Sequence, residues 1–340
     1  MAATLDTSRL PQSLPGPEAA VLLINLGTPE APTAAAVRRY LAQFLSDPRV
    51  IDYPRWLWLP LLHGVILRIR PRRSAEAYRK VWTERGSPLQ VYSQDLTAAL
   101  AGLCGSKCRV ELAMTYGKPA VADVIDRLLA EGVRRILVLP LFPQYSATST
   151  AAAFDAVFAA LVRLRNVPEI RTIADYHVLP EYVAALSESV RAWWREHGRA
   201  QHVLLSFHGI PERYVRLGDP YYRQCMATAA ALRRALELDE ESLLVTFQSR
   251  VGRERWLAPY TDETLRQLPA QGVRHLQVLC PGFAVDCLET LEEIAMRGRE
   301  EFIAAGGERL EYIPALNAGE THTRALHALI THNLAGWIDA

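Results

Sequence analysis

Short apolar runs of strand length alternate along the chain with longer amphipathic segments. The clearest apolar runs are residues 19–26, 134–142, 202–207, 242–247 and 273–280. Apolar residues recur at intervals of three and four in segments such as 32–45, 119–130, 181–194 and 222–236. Alternation of this kind is typical of parallel sheets with helices on both faces, so the pattern predicts an α/β fold.

The two halves of the chain repeat each other in order. "VLLINLGTPE" at 21–30 resembles "VLLSFHGIPE" at 203–212, and "GVRRILVLPLF" at 132–142 resembles "GVRHLQVLCPGF" at 272–283. Any two buried strands look alike, but ordered pairs that share Gly-x-Pro and Gly-Val-Arg favour duplication. We therefore predict two related α/β domains, residues 1–190 and 191–340, with an approximate boundary and a C-terminal helix that could pack back on the first domain.

Composition and charge argue against several classes of protein. Half of the 340 residues are apolar, and 38 Lys and Arg nearly cancel 37 Asp and Glu, so nothing indicates a nucleic-acid partner. No apolar stretch reaches the roughly 18 residues of a membrane span. The N-terminal stretch, 1–18, is predicted to be a flexible lead-in without the apolar core of a signal peptide. We expect a cytoplasmic protein. A dehydrogenase is poorly supported, since no G-x-G-x-x-G follows a strand.

The cysteines do not form the spacing of a disulfide framework or a metal cluster. They lie at positions 104, 108, 225, 280 and 287. Cys104 and Cys108 alone cannot complete a zinc or iron–sulfur site, because no second close pair exists. We therefore predict free thiols in a reducing compartment and no permanently bound cofactor.

A histidine follows the apolar run of the second half. Ligands of open α/β sheets lie beyond the carboxyl ends of the strands, so His208 is predicted to face a cleft between the domains. Gly209 then allows the chain to turn. A histidine satisfied within a loop is the alternative, and position alone favours a functional role only slightly.

A row of carboxylates follows the matching strand end of the same half. A helix is predicted to begin near Val285 or Asp286, so that Glu289 and Glu293, four residues apart, share one face. Imidazole and carboxylate together suit a borderline metal such as ferrous iron. The alternative is a solvated helix face on which Glu293 pairs with Arg297.

Eight short motifs run through the chain in a specific order. They are "LLINLGTP" (22–29), "SAEAYRKVW" (74–82), "GSPL" (86–89), "PQYSATST" (143–150), "SFHGIP" (206–211), "GDPYYRQC" (218–225), "FQSRVGRERWLAPYTDE" (247–263) and "DCLETLEEI" (286–294). Together they resemble the ferrochelatases, enzymes that insert ferrous iron into a porphyrin to make haem. The resemblance covers nearly the whole chain, and the combination of motifs is highly specific.

The resemblance implies an architecture and a reactive centre. It implies two flavodoxin-like (Rossmann-like) domains of the chelatase type, with a porphyrin cleft between them. His208 would be the metal-binding and catalytic histidine, and Glu289 the catalytic, metal-binding acid that faces it. Glu293 and Asp286 would lie on the path of protons or metal. Fe²⁺ and protoporphyrin IX are the implied substrates.

The resemblance also implies porphyrin contacts. Tyr145 and Trp256 match aromatic residues near the macrocycle. Arg70, Tyr78 and Ser87 match residues that bind its propionates, although Arg70 lies in a variable stretch. The alternatives are a chelatase for coproporphyrin or another tetrapyrrole, and a two-lobed tetrapyrrole-binding protein without catalysis.

The chain departs from the family pattern at three points. Cys287 stands where relatives often have a histidine, and Thr115 stands where many have an arginine. Some relatives hold a [2Fe–2S] cluster through cysteines near the C-terminus. No cysteine follows Cys287 here, so no iron–sulfur cluster is expected.

An apolar segment flanked by arginines lies in the first half. Residues 56–67, "WLWLPLLHGVIL", are predicted to form a lip at the cleft mouth that receives the porphyrin and touches the inner membrane peripherally. An ordinary buried helix is an equally weighted alternative. The side chains predicted to form the exposed patch are Trp56, Leu57, Leu59, Leu61 and Leu62.

Overall fold

Two parallel sheets, one from each half, organise the protein. The computed structural model describes residues 19–106, 108–252 and 254–338, so the predicted N-terminal lead-in lies outside the described residues. The first sheet has the order β2-β1-β3-β4, with β1 (Ala19–Gly27), β2 (Arg109–Tyr116), β3 (Arg135–Pro140) and β4 (Glu169–Thr172). The second has the order β6-β5-β7-β8, with β5 (His202–His208), β6 (Leu243–Gln248), β7 (His275–Leu279) and β8 (Arg309–Ile313). The same order recurs with parallel pairing throughout both sheets, which confirms the predicted fold class.

Helices cover both faces of each sheet. In the first half they are α1 (Ala34–Leu45), α2 (Arg55–Leu61), α3 (Leu67–Val81), α4 (Pro88–Cys104), α5 (Val121–Ala130), α6 (Ala152–Val162) and α7 (Pro180–His197). In the second half they are α8 (Glu212–Arg216), α9 (Tyr221–Leu236), α10 (Thr261–Gln267), α11 (Leu288–Thr290), α12 (Arg299–Ala304) and α13 (Glu320–Leu334). Wider π-helical turns at Leu62–Ile66, Ala147–Ala151 and Leu291–Gly298 run directly into α-helices, and a 3₁₀ turn, Leu268–Gln271, follows α10.

Alternation along the central strands divides the core into layers. In β1, Val21 and Leu23 join a core shared by the two halves, whereas Leu22 faces a second cluster under α5 and α6. In β5, Phe207 belongs to the shared core and Leu204 to a cluster under α10 and α12. Because both faces of these strands are buried, their sequences are nearly continuous apolar runs.

The last helix of each half packs against the other half. Helix α13 contacts α4 and β3, and α7 contacts α9 and β8. The guanidinium of Arg171 in β4 lies 4.2 Å from the Trp337 ring after α13. In the other half, the indole of Trp194 donates to Gln277 in β7 at 2.8 Å. The predicted boundary at 190/191 falls inside α7, and the division into domains stays a prediction.

The hydrophobic pattern misses three of the strands. These are β2, β4 and β8, which lie at sheet edges. Edge strands have one unpaired side, so their sequences contain charged residues that interrupt the apolar runs. Glu111 in β2 pairs with Arg109 at 2.6 Å, and Glu311 in β8 lies 2.8 Å from His275.

The predicted lip, residues 56–67, belongs to one continuous helical segment, residues 55–81, made of α2, the π-helical turn Leu62–Ile66 and α3. Helix α2 buries none of its side chains, so the alternative of an ordinary buried helix is wrong for residues 56–61, whereas Leu62 and Leu67 of the same segment are buried. Leu62, however, is fully buried, and Leu59 is half-buried, so the predicted five-residue patch is wrong at those two positions. The exposed apolar side chains are Trp56, Leu57, Leu61, Val65 and Ile69. Across the described ranges, no helix has both the length and the apolar character that crossing a membrane requires.

Candidate active site

His208 is the last residue of β5 and presents a free ring nitrogen. Alternation places it on the face of Leu204 and Ser206, which is the face covered by α10 and the π-helical turn Leu291–Gly298. Its Nδ1 lies 2.7 Å from the carbonyl oxygen of Gly209. A carbonyl can only accept, so Nδ1 bears a proton, and in the neutral imidazole the lone pair is therefore on Nε2. Within the described residues, the ring makes no other hydrogen bond.

Gly209 brings Trp256 against the histidine loop. A Cβ at this position would lie 2.9 Å from the carbonyl oxygen of Gln248 and 3.2 Å from the Trp256 ring. The backbone N–H of Gly209 also donates to that carbonyl at 2.8 Å. The buried Nε1 of Trp256 has no hydrogen-bond partner in the described part of the chain. The structure therefore brings this predicted porphyrin contact next to His208.

The acidic helix begins later than the sequence predicts. It starts at Leu288, with Cys287 as its N-cap, and then widens into the π-helical turn. The backbone N–H of Cys287 donates to Thr290 Oγ1 at 3.0 Å. A start near Val285 or Asp286 is therefore wrong, because the residues before Cys287 belong to a loop.

Hydrogen bonds fix Asp286 within that loop. Its carboxylate accepts from Thr290 Oγ1 at 2.8 Å, Tyr312 Oη at 2.6 Å and Asn317 Nδ2 at 2.8 Å. These bonds tie the loop after β7 to the segment after β8. The structure does not bring Asp286 into contact with Glu293 among the described residues, and its place on a proton or metal path stays a prediction.

Glu293 links the histidine and the acidic row electrostatically. Its carboxylate accepts from Ser249 and lies 3.7 Å from Arg297. The pair with Arg297 belongs to the alternative of a solvated helix face, but the Glu293 side chain is only 20% exposed. Burial raises the pKa of Glu293, and the charge of Glu289 adds to this rise. Ser249, Arg297 and His208 lower that pKa. Glu293 is therefore within electrostatic reach of both His208 and Glu289.

The end of β6 also contacts Glu289. Gln248 pairs in register with His208 and donates from Nε2 to the carbonyl oxygen of Glu289 at 2.8 Å. Its Oε1 accepts from the buried hydroxyl of Ser206 at 2.6 Å. The sequence analysis misses Gln248 and Ser249 as site residues. Their position at the carboxyl end of a strand beside β5, inside "FQSR", was the available signal.

The first half contributes a polar wall opposite the acidic row. The Arg70 guanidinium and the Tyr78 hydroxyl both interact electrostatically with Glu289. Burial is the main cause that raises the pKa of Tyr78. Thr28 acts against that rise and lowers the pKa of Tyr78. The Thr28 hydroxyl donates to Ser87 Oγ at 2.7 Å. Ser87 is itself buried. The structure thus groups the three predicted propionate contacts along one wall.

Tyr145 lies at the carboxyl edge of the first sheet. Its backbone N–H donates to Gln224 of α9 at 2.6 Å, so this loop joins the two halves. Its phenol interacts electrostatically with Arg49. Among the described residues no hydrogen bond or ring contact links Tyr145 to His208.

An ion pair joins the two walls. Lys80 on α3 lies 2.9 Å from the buried Glu292 of the π-helical turn. Within that turn, Arg297 lies 3.6 Å from the same carboxylate. Leu288 packs against the apolar cluster that the lip forms with α1 and α3, which we call the lip core. The acidic helix is therefore held against the first half close to Arg70 and Tyr78, which interact with Glu289.

Other features of the chain do not compete with this site. The five cysteines are free and buried. The described residues contain no cluster of three or more His, Cys, Asp or Glu arranged to hold a metal, and this holds for His208, Glu289 and Glu293 as well. A surface groove of about 670 Å³ lies between α7 and α13. Its lining residues include Ala185, Arg191 and Thr321, but no histidine. The site is therefore assigned by its chemistry and not by cavity size.

Comparison with known proteins identifies the family of the chain. The sequence model of the family described as Ferrochelatase matches residues 18–334. The chain is 55% identical over 315 residues to a ferrochelatase of Methylococcus capsulatus, covering 93% of this chain and 96% of that protein. It is 52% identical over 325 residues to a ferrochelatase of Teredinibacter turnerae, covering 94% and 89%.

Solved structures show the same fold at low identity. SirB from Bacillus subtilis with Fe³⁺ aligns with a TM-score of 0.57 at 14% identity, covering 94% of this chain and 96% of that chain. CbiX, described as the terminal enzyme for biosynthesis of sirohaem in denitrifying bacteria, aligns with a TM-score of 0.52 at 15% identity, covering 93% and 100%. From the family match and the close relatives, this chain belongs to the ferrochelatase family.

Proposed function

We propose that this protein inserts Fe²⁺ into protoporphyrin IX in haem biosynthesis, forming protohaem and releasing two protons. The observation that carries the proposal is the Nε2 of His208, which makes no hydrogen bond among the described residues and lies at a strand end. His208 and Glu289 are both within electrostatic reach of Glu293. Membership of the ferrochelatase family and relatives of that name over nearly the whole chain support the activity.

Each reactive group has a chemical task in this reaction. The two pyrrole N–H protons must leave, and a neutral imidazole is a suitable base near neutral pH. His208 accepts one proton at a time through Nε2 and passes it to the carboxylates of Glu293 and Glu289 before it takes the second. Hydrated iron must shed water. The carboxylates of Glu289 and Glu293 replace water ligands as the ion arrives, because oxygen and imidazole ligands suit ferrous iron.

The remaining predicted residues bind the macrocycle. Arg70, Tyr78 and Ser87 recognise propionates by charge and hydrogen bonding, and Arg70 suits a carboxylate because its planar guanidinium donates in pairs. Tyr145 and Trp256 provide aromatic surface for the ring. The clustering of the first three residues along one wall supports their part in this proposal.

We also propose a location and a cofactor state. The protein acts in the cytoplasm, with the lip resting on an anionic membrane surface. The exposed apolar stripe of the lip and the exposed Arg68, Arg72 and Arg73 support this. The protein works without an iron–sulfur cluster, since Cys225, Cys280 and Cys287 are dispersed along the chain.

An anaerobic insertion assay tests the activity. Purified protein is mixed with Fe²⁺ and either protoporphyrin IX or coproporphyrin III, and the absorbance change is followed. We expect protohaem to form from protoporphyrin IX. Turnover of coproporphyrin III alone would replace the substrate, and turnover of neither would reject the activity. Dialysed protein is expected to show no iron–sulfur absorbance.

A further inference from the structure

Residues at the end of β6 form hydrogen bonds with both Glu289 and Glu293. Besides the bond from Gln248 to the Glu289 backbone, Ser249 donates twice to Glu293. Its N–H bonds Oε1 at 2.9 Å, and its hydroxyl bonds Oε2 at 2.6 Å. Two donors from one residue on opposite oxygens fix both the position and the rotation of a carboxylate.

The backbone of Ser249 is held in an unfavourable region. Its φ is +67°, within the left-handed region that favours glycine and disfavours most other residues. The chain has a serine here, and its hydroxyl forms the shorter of the two bonds to Glu293. Backbone conformations of this kind concentrate at functional sites, where neighbouring contacts maintain them.

No other described partner directs Glu293 as closely. The Arg297 guanidinium is 3.7 Å from Glu293 and also 3.6 Å from Glu292, and 46% of the Arg297 side chain is exposed. Ser249 is therefore its directional partner.

We propose that Ser249 is a positioning residue for iron, because it orients the Glu293 carboxylate toward the site of His208. The inference rests on the proposed function and deepens it. Ser249 acts through Glu293 and not by touching the porphyrin. Removing its hydroxyl should therefore change how the enzyme handles iron and leave porphyrin binding as it is.

Steady-state kinetics of two variants separate the hydroxyl from the backbone. Ser249→Ala removes the hydroxyl and keeps the unfavourable φ, whereas Ser249→Gly removes the hydroxyl and relieves it. We expect the KM for Fe²⁺ to rise about tenfold in both, as for a lost hydrogen bond to a charged group. The KM for porphyrin should stay the same. The Tm of Ser249→Gly should not fall below that of Ser249→Ala.

Two controls complete the test. Ser187→Ala on α7 removes a hydroxyl that donates to Ala184 of its own helix, and it should leave both KM values unchanged. In a double-mutant cycle, Ser249→Ala should add nothing to Glu293→Ala, because once the carboxylate is absent the Ser249 hydroxyl has nothing to orient.

An unchanged iron KM in both Ser249 variants would overturn the inference. So would a change confined to kcat or to the porphyrin KM, or additive effects in the cycle. These outcomes presuppose wild-type insertion. Absence of insertion by the wild type rejects the proposed function instead, so the two failures are distinguishable.

Discussion

The two halves of the protein build the same strand end for different purposes. β1 ends at the glycine of "LGTP" in the first half, and β5 ends at the histidine of "HGIP" in the second. Each glycine lies against the neighbouring strand. A Cβ on Gly27 would lie 1.8 Å from the Tyr116 carbonyl oxygen, and a Cβ on Gly209 would lie 2.9 Å from that of Gln248. Close approach of the backbones requires both glycines.

The side chain before the glycine differs between the halves. In the first half it is Leu26, which packs against the lip core. In the second half it is His208, whose Nε2 is free. The scaffold is therefore repeated and the chemistry is not: the first half provides walls, and the second half provides the proposed reactive groups.

Alanine substitutions at these two equivalent positions should produce the largest contrast between the two halves. His208→Ala is expected to lower insertion by roughly 10²–10⁴-fold, the range for a lost general base, while porphyrin binding persists. Leu26→Ala is expected to lower the Tm and to keep most of the turnover. The insertion assay, fluorescence titration of porphyrin and thermal unfolding measure these outcomes. Turnover near the wild-type rate in His208→Ala, at saturating iron, would contradict the assignment.

The acidic row should show graded effects along its length. Glu289→Gln keeps the shape of the side chain and removes its charge, so we expect a large loss of turnover with a smaller change in porphyrin affinity. Glu293→Gln should lose less, because Glu293 lies further along the helix. The same insertion assay ranks the two variants. A larger loss for Glu293→Gln would reverse the assigned order.

The sequence predicts the strand ends better than the helix that faces them. Val203 to Phe207 are nearly all apolar because both faces of β5 are buried, so the strand and its terminal histidine are evident. The acidic helix is displaced to Leu288 because the loop bonds of Asp286 occupy the predicted start. Such bonds join residues distant in sequence, such as Asn317, and local periodicity does not report them.

The role of Ser249 also lies beyond what local sequence reports. Its bonds to Glu293 depend on a positive φ and on a π-helical turn 44 positions later. The residue type of Ser249 alone does not indicate that it bonds a carboxylate distant in the sequence. The family motifs identify His208 and Glu289 as candidates, but only the contacts show what orients their neighbours.

Within the lip, two adjacent leucines should behave differently. Leu61 is 47% exposed and Leu62 is 0% exposed. Leu62→Glu should lower the free energy of unfolding by roughly 3 kcal/mol or more, since it buries a charge in the lip core. Leu61→Glu should leave the Tm nearly unchanged and weaken binding to anionic vesicles. Thermal unfolding and vesicle sedimentation at low and high salt measure these effects. Unaltered vesicle binding by Leu61→Glu would exclude the stripe as the membrane contact.

The smallest expected effect concerns the helices that exchange between the halves. Tyr182 and His322 occupy the first turns of α7 and α13, and their ring centroids are 6.3 Å apart. The Tyr182 hydroxyl donates to the Pro281 carbonyl at 2.9 Å. His322 Nδ1 lies 2.7 Å from the Asn317 carbonyl and donates to it. Burial lowers the pKa of His322 from 6.5 to about 4, so at this interface the second half has an imidazole that resists protonation.

The sign of the pH effect follows from that pKa. Below about pH 6.5 the unfolded chain binds a proton at His322, whereas the folded chain does so only below about pH 4. The free energy of unfolding should therefore fall as the pH falls through this window, by about 2 kcal/mol at pH 5. His322→Gln keeps a donor for Asn317 and removes the titration, so its Tm should fall less than that of the wild type between pH 7.5 and pH 5. His332→Gln, at an exposed position of the same helix, should keep the wild-type fall. An equal fall in His322→Gln and the wild type would mean that this buried imidazole does not contribute to acid sensitivity.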